Sequence, residues 1–190
     1  EISECLVGSE MCIRDRFIHN LLDHLDVERL ELNDSTYEFH FSDTYNSTYG
    51  LDAEYAWSYG LLPDDEKIFK ENEYISREYA AYIVYHIMGF EGDYIIDYND
   101  SELVNYRNEV ALVAAQEFIP LINGAFLPDK YISSSDYQTI VKRIDWFNDA
   151  LNEVTDEANI SYKSEVIEIA TDNYSTVSYT HLRAHETLAN

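Results

Sequence analysis

The chain has 190 residues, and its 37 Asp and Glu outweigh 12 Lys and Arg to give a formal net charge of −25. A field of that sign repels nucleic acid and anionic membrane, so binders that work by neutralising phosphates are excluded, while solubility is favoured and no fold is selected. With 46% hydrophobic residues the chain can build a core, since a domain near this size buries roughly two-thirds of its unfolded surface.

The two ends stand apart from the rest. Cys5 to Arg16 (CLVGSEMCIRDR) and Val177 to Thr187 (VSYTHLRAHET) resemble translations of one tagmentation sequencing adapter, forward at the front and as its reverse complement at the back. The resemblance has an internal check. Reading Ile2, Ser3 and Glu4 as ATT, AGC and GAG, followed by T, requires at the back a Thr codon ending in A, then CTC, GCT and AAT. These spell Thr187, Leu188, Ala189 and Asn190, as found. Residues 1–16 and 177–190 are therefore expected to be scars that add nothing to the core, leaving Phe17 to Thr176 as the biological segment, cut at both ends. Cys5 and Cys12 fall in the front scar, so no disulfide or thiol site is expected. His181 and His185 have the spacing of helical metal ligands but fall in the rear scar, and no metal site is expected there.

In chain order, Ile18, Leu21, Leu22 and Leu25 form an amphipathic stretch that reads as the closing helix of an earlier repeat, within residues 17–40. Beyond it the chain lies over itself at a shift of 57 residues. Asp43, Tyr49, Pro63, Phe69, Tyr74, Ile75, Ser76, Ile83 and Ile87 fall on Asp100, Tyr106, Pro120, Phe126, Tyr131, Ile132, Ser133, Ile140 and Ile144. Units of this length carry an apolar face that one copy cannot bury alone, so they stack or cluster. Residues 41–96 and 97–160 are the two full copies.

Each copy reads as helix, loop, helix. Ala53, Ala56 and Trp57 share a face of the first helix, which should stop near Gly60 and Pro63; Val110, Val113 and Ala114 repeat the pattern before Pro120. Asn123-Gly124 predicts a tight turn. Ser76 and Ser133 predict N-caps, and Ser133 with Asp136 approximates a capping box. Ala80, Ile83, Val84 and Ile87, matched by Ile140, Val141 and Ile144, predict a buried face on each second helix. Trp57 and Trp146 are assigned to the core. Residues 146–159 continue the last helix, and Tyr162 to Ala170, within residues 161–176, has the β-branched content of a short strand opening a linker or a further domain. The fold class is thus mainly all-α.

Several motifs are read as bland. Asp97, Asn99 and Ser101 imitate a calcium loop, but its sixth place is Glu102 instead of Gly and its twelfth is Asn108 instead of Glu. Asp64, Asp65 and Glu66 read as a solvated loop. With so many carboxylates, an acid pair at glycosidase spacing arises by accident. His19, His24, His40 and His86 show no nucleophile pattern. No catalytic residue, metal or cofactor is expected.

Taken in order, Phe41-Ser42-Asp43, Tyr49, Gly60-Leu61-Leu62, Phe69 and Ile75-Ser76-Arg77-Glu78 resemble an S-layer homology repeat, as do Asp100, Tyr106, Phe118-Ile119-Pro120, Phe126-Leu127-Pro128 and Ile132-Ser133-Ser134-Ser135. The second copy departs from the pattern at Glu117, which replaces the break glycine, and at Ser134-Ser135, which replace Arg-Glu. The resemblance implies repeats packed in a pseudo-threefold helical cluster that holds secondary cell-wall polysaccharide, often pyruvylated, outside a bacterial cell. It further implies Arg77 as the contact to an acidic sugar substituent, with Ser76 beside it and Tyr49 and Tyr106 as rings for the sugar. An anion at Arg77 would also gain from free N–H groups in the first helical turn. The alternative is a degenerate repeat serving as a structural or protein-interaction scaffold.

Overall fold

The computed structural model describes residues 12–27, 29 and 38–158. Among them are five α-helices: α1 (Arg14–His24), α2 (Gly50–Ser58), α3 (Arg77–Ile87), α4 (Arg107–Ala115) and α5 (Ser134–Ala158). Among the described residues, extended pairing is limited to isolated bridges such as Ile13 with Tyr74 and Ser76 with Tyr131. The chain is mainly helical, as expected. The strand expected at Tyr162 to Ala170 and the rear scar lie outside the described residues. No helix among the described residues is long and apolar enough to cross a membrane.

The 57-residue shift is carried into the backbone. It takes the first residues of α2 and α3, Gly50 and Arg77, onto Arg107 and Ser134 of α4 and α5, and the last residue of α2, Ser58, onto Ala115 of α4. Both first helices stop at a left-handed residue, Gly60 (φ 71°) or Glu117 (φ 59°), a conformation that lets the last carbonyls find donors. Leu61 N–H reaches Ala56 O at 2.9 Å, and Phe118 N–H reaches Val113 O at 3.1 Å. Loop closure is duplicated too. The Asp43 carboxylate accepts the N–H groups of Phe69 (2.8 Å) and Lys70 (2.7 Å), and Asp100 accepts those of Phe126 and Leu127, both at 2.7 Å.

The predicted local signals are present. Ser76 Oγ accepts the Tyr79 N–H at 3.2 Å. Ser133 and Asp136 form the reciprocal box, with Ser133 N–H on Asp136 at 2.9 Å and Asp136 N–H on Ser133 Oγ at 3.2 Å. Asn123 and Gly124 both have positive φ, and Ile122 and Ala125 exchange backbone hydrogen bonds across the turn.

Two compact units emerge, Glu1–Ala80 with Pro128–Gln138, and Ala81–Leu127 with Thr139–Asn190. In the first, α1 packs on α2, and Phe17, Leu21, Phe41, Leu62, Phe69 and Ile75 are buried. Phe41 and Phe69 lie 5.4 Å apart, and Phe17 meets Tyr137 edge-on at 5.6 Å. In the second, Phe90, Phe118 and Phe147 make a triangle of rings with Phe118 and Phe147 stacked at 5.2 Å. Ile83, Val84, Ile87, Ile140 and Ile144 are buried as expected, while Val141 is half-buried. Trp146 corrects its core assignment, being 43% exposed. It lies one position off the Ile140, Ile144, Phe147 stripe, and the Arg143 guanidinium covers its ring at 4.3 Å. Trp57 is half-buried and stacks on His40 at 3.7 Å.

The front scar also requires correction, because its last residues are part of the packing. Cys12 is a fully buried free thiol; its N–H donates to Ile132 O and its carbonyl accepts the Ile75 N–H. Arg14 opens α1, donates to Phe69 O at 2.9 Å and lies 4.2 Å from the Tyr79 ring. Cys12-Ile13-Arg14-Asp15 offers the apolar, extended, then basic and acidic order of Ile75-Ser76-Arg77-Glu78.

Deleting Glu1 to Arg16 is expected to cost at least about 3 kcal/mol, from the two buried hydrogen bonds of Cys12, its thiol and the Arg14 cation–π contact, with the Arg14 and Asp15 hydrogen bonds lost as well. At about 2–4 °C per kcal/mol, calorimetry should show a melting point lower by about 6–12 °C; an unchanged transition would restore the scar reading. The helix stops give a paired expectation in urea titration. Gly60→Ala should destabilise by about 1 kcal/mol through φ alone, since a Cβ there meets nothing within 4 Å. Glu117→Gly should stabilise by about 0.5–1 kcal/mol.

Candidate functional site

In the first unit, the start of α1 and the two ends of the Asp43-clamped loop enclose a polar cleft of about 200 Å³. Pockets for drug-sized ligands run about 300–1,000 Å³, so this one suits a single small ring. Three segments build it. Ile13, Asp15 and Arg16 come from the entry to α1, Asn46 to Tyr49 from the loop before α2, and Glu71 with Asn72 from the loop before α3.

Each segment is fixed by the local sequence. Glu54 of α2 is fully buried and accepts from His40 N–H (2.8 Å), Phe41 N–H (3.0 Å) and Thr44 Oγ1 (2.8 Å), which anchors the chain entering the loop. The loop then turns so tightly that a Cβ on Gly50 would lie 2.0 Å from Thr44 O, so only glycine permits this approach. At residues 71–73 the backbone is held to α1 by Arg14 N–H on Glu73 O and Asp15 N–H on Glu71 O.

The cleft carries both signs of charge. Burial pushes the Asp15 carboxyl above its ordinary value of 3.8; the N–H and charge of Arg16 pull it down, and Glu71 pushes it up. Asn46, Ser47, Thr48 and Asn72 add amide and hydroxyl groups. Tyr49 packs against His19 with the rings tilted and their centroids 4.2 Å apart, and His19 Nδ1 lies 2.6 Å from Asp52 Oδ2. Arg29 completes this support, with ion pairs to Asp52 (2.7 Å) and Asp23 (2.6 Å).

Of the residues expected at a site, only Tyr49 lines the cleft. Ser76 is half-buried and spends its hydroxyl on the α3 cap. Arg77 is fully buried, with Nη1 3.7 Å from Asp136 Oδ1. The first-turn N–H groups expected to be free for an anion are used within the protein: Arg77 N–H donates to Lys130 O (2.8 Å) and Glu78 N–H to Pro128 O (3.1 Å). That corrects the expectation of an open anion site at this helix start. Tyr106, in the second unit, packs on Tyr82 at 4.6 Å.

Asp15, Arg16, Glu71 and Asn72 were not foreseen. Asp15 and Arg16 lie in the stretch that resembles translated adapter, and nothing in the sequence marks the others. Asn46-Ser47-Thr48 is a polar run before α2, and nothing in the sequence shows that it faces a cleft. Compared with known proteins, the chain matches no family model and no curated protein.

His86 packs against Tyr82 with the rings tilted and their centroids 4.2 Å apart, and its Nε2 lies 4.0 Å from Glu109 Oε1. Burial pushes the His86 pKa below its ordinary 6.5. The unfolded chain therefore binds a proton here at a higher pH than the folded one, so this group's contribution is present above 6.5 and is lost as pH falls from there toward the lowered value. Urea titrations from pH 7.5 to 5.5 should show His86→Phe losing less stability than the parent chain; an equal loss would contradict the assignment.

Proposed function

We propose that this chain is a non-catalytic module of the S-layer homology type that binds secondary cell-wall polysaccharide, as part of a larger bacterial surface protein outside the cell. The observation that carries this reading is the duplicated clamp: Asp43 and Asp100, the aspartates that open each copy of the motif, both accept two loop N–H groups at 2.7–2.8 Å, 57 residues apart. The pseudo-threefold cluster belongs to the same proposal. It draws support from the cyclic bonding of Cys12, Ile75 and Ile132, each of which precedes a helix by two residues. Sugar would enter the cleft beside Tyr49, where a ring face and amide and hydroxyl groups converge.

The second reading, a repeat scaffold that binds no glycan, is favoured by one observation: Arg77 is buried and its helix start is occupied. Sedimentation with purified Gram-positive cell wall separates the two. The chain should co-sediment, and Asn46→Ala combined with Asn72→Ala, both at exposed positions of the cleft, should weaken binding about tenfold, near 1.4 kcal/mol. No sedimentation of the parent chain would reject wall binding and leave the scaffold.

A further inference from the structure

The second copy departs from the first at three places that meet in one spot of the second unit. The 57-residue shift sets Glu117, Arg143 and Trp146 in the places of Gly60, His86 and Gly89. Arg143, on α5, donates its Nε–H to Gln116 O at 2.7 Å, just past the end of α4, and its guanidinium lies 4.3 Å from the Trp146 ring and 5.2 Å from that of Phe147. These contacts fix the guanidinium before any ligand arrives. Its Nη1 and Nη2 hold no hydrogen bond or ion pair among the described residues, and neither is buried. The indole beside them is 43% exposed. Glu117 is exposed, follows Gln116 in the chain, and acts on Arg143 through its charge without forming an ion pair. It also keeps a left-handed backbone (φ 59°) that glycine adopts freely and a residue with a Cβ resists.

We propose that Glu117, Arg143 and Trp146 form a further binding site, for a sugar ring that carries a carboxylate. The free edge of the guanidinium takes the carboxylate through two parallel hydrogen bonds. The exposed indole meets the apolar side of the ring, and Glu117 accepts from its hydroxyls. The chain's distant acids do not forbid this, because charge is screened over about 8 Å at physiological salt. The site shares no residue with the cleft of the first unit and does not depend on wall binding by that cleft.

The test uses the full chain carrying Trp57→Phe, which leaves Trp146 as its only tryptophan. Trp146 fluorescence should change saturably with methyl glucuronide, which should bind at least about tenfold more tightly than methyl glucoside, the neutral ring, or acetate, the acid without a ring. Arg143→Lys keeps the charge but lacks the planar fork, and should weaken glucuronide binding at least about fivefold, with a urea titration to verify folding. Ligand-observed NMR on the parent chain makes the same three-ligand comparison where Trp57→Phe does not fold. No saturable response to glucuronide, a glucoside bound equally well, or undiminished binding by Arg143→Lys would overturn the site. Acetate bound as tightly as glucuronide would overturn the assignment of a sugar.

Discussion

Three backbone hydrogen bonds in a closed circuit govern the first unit. Cys12 N–H donates to Ile132 O at 2.9 Å, Ile132 N–H to Ile75 O at 2.9 Å, and Ile75 N–H to Cys12 O at 3.0 Å. Each residue gives one bond and receives one, and all three are 0% exposed. No member can leave without stranding a buried donor and a buried acceptor, a cost of about 1–3 kcal/mol for each group. The circuit also sets register, because α1, α3 and α5 begin at Arg14, Arg77 and Ser134, two residues past each member. Segments far apart in sequence thus start their helices from one buried point.

That constraint explains why the helix starts are poor places to hold a ligand. Chain crossing at the circuit brings carbonyls of the preceding loops onto the first-turn N–H groups, Glu73 O onto Arg14 and Lys130 O onto Arg77. The helix dipole that would attract an anion is met by the protein's own backbone. Away from the helix starts, the Asp43 clamp and the Gly50 turn hold the loop side chains that line the cleft.

Much of the fold was legible because its signals are local. The 57-residue recurrence, the Ser76 and Ser133 caps, the Asn123-Gly124 turn and the Ile83 to Ile87 face each depend on residues close in sequence, and each is present. What was illegible depends on long-range contacts. Cys12 to Arg16 resemble translated adapter, yet packing responds to shape and charge, and these residues supply both. Arg77 reads as a surface cation until the crossing of Lys130 and Pro128 over its helix start is known. Trp146 reads as core because it falls on an apolar helical face in the sequence, whereas one position of rotation puts it outside under Arg143. The cleft needs three segments up to 60 residues apart, and no pattern in the chain joins Asp15 to Asn46 and Glu71.

Native-state amide hydrogen exchange tests the circuit most directly, because each of its donors is a backbone N–H. The amides of Cys12, Ile75 and Ile132 should exchange with one shared free energy, at the slowest class in their unit, and should respond together to denaturant. Fast or independent exchange at Cys12, with Ile75 and Ile132 still protected, would show that the front segment is not part of a closed circuit and would contradict this account.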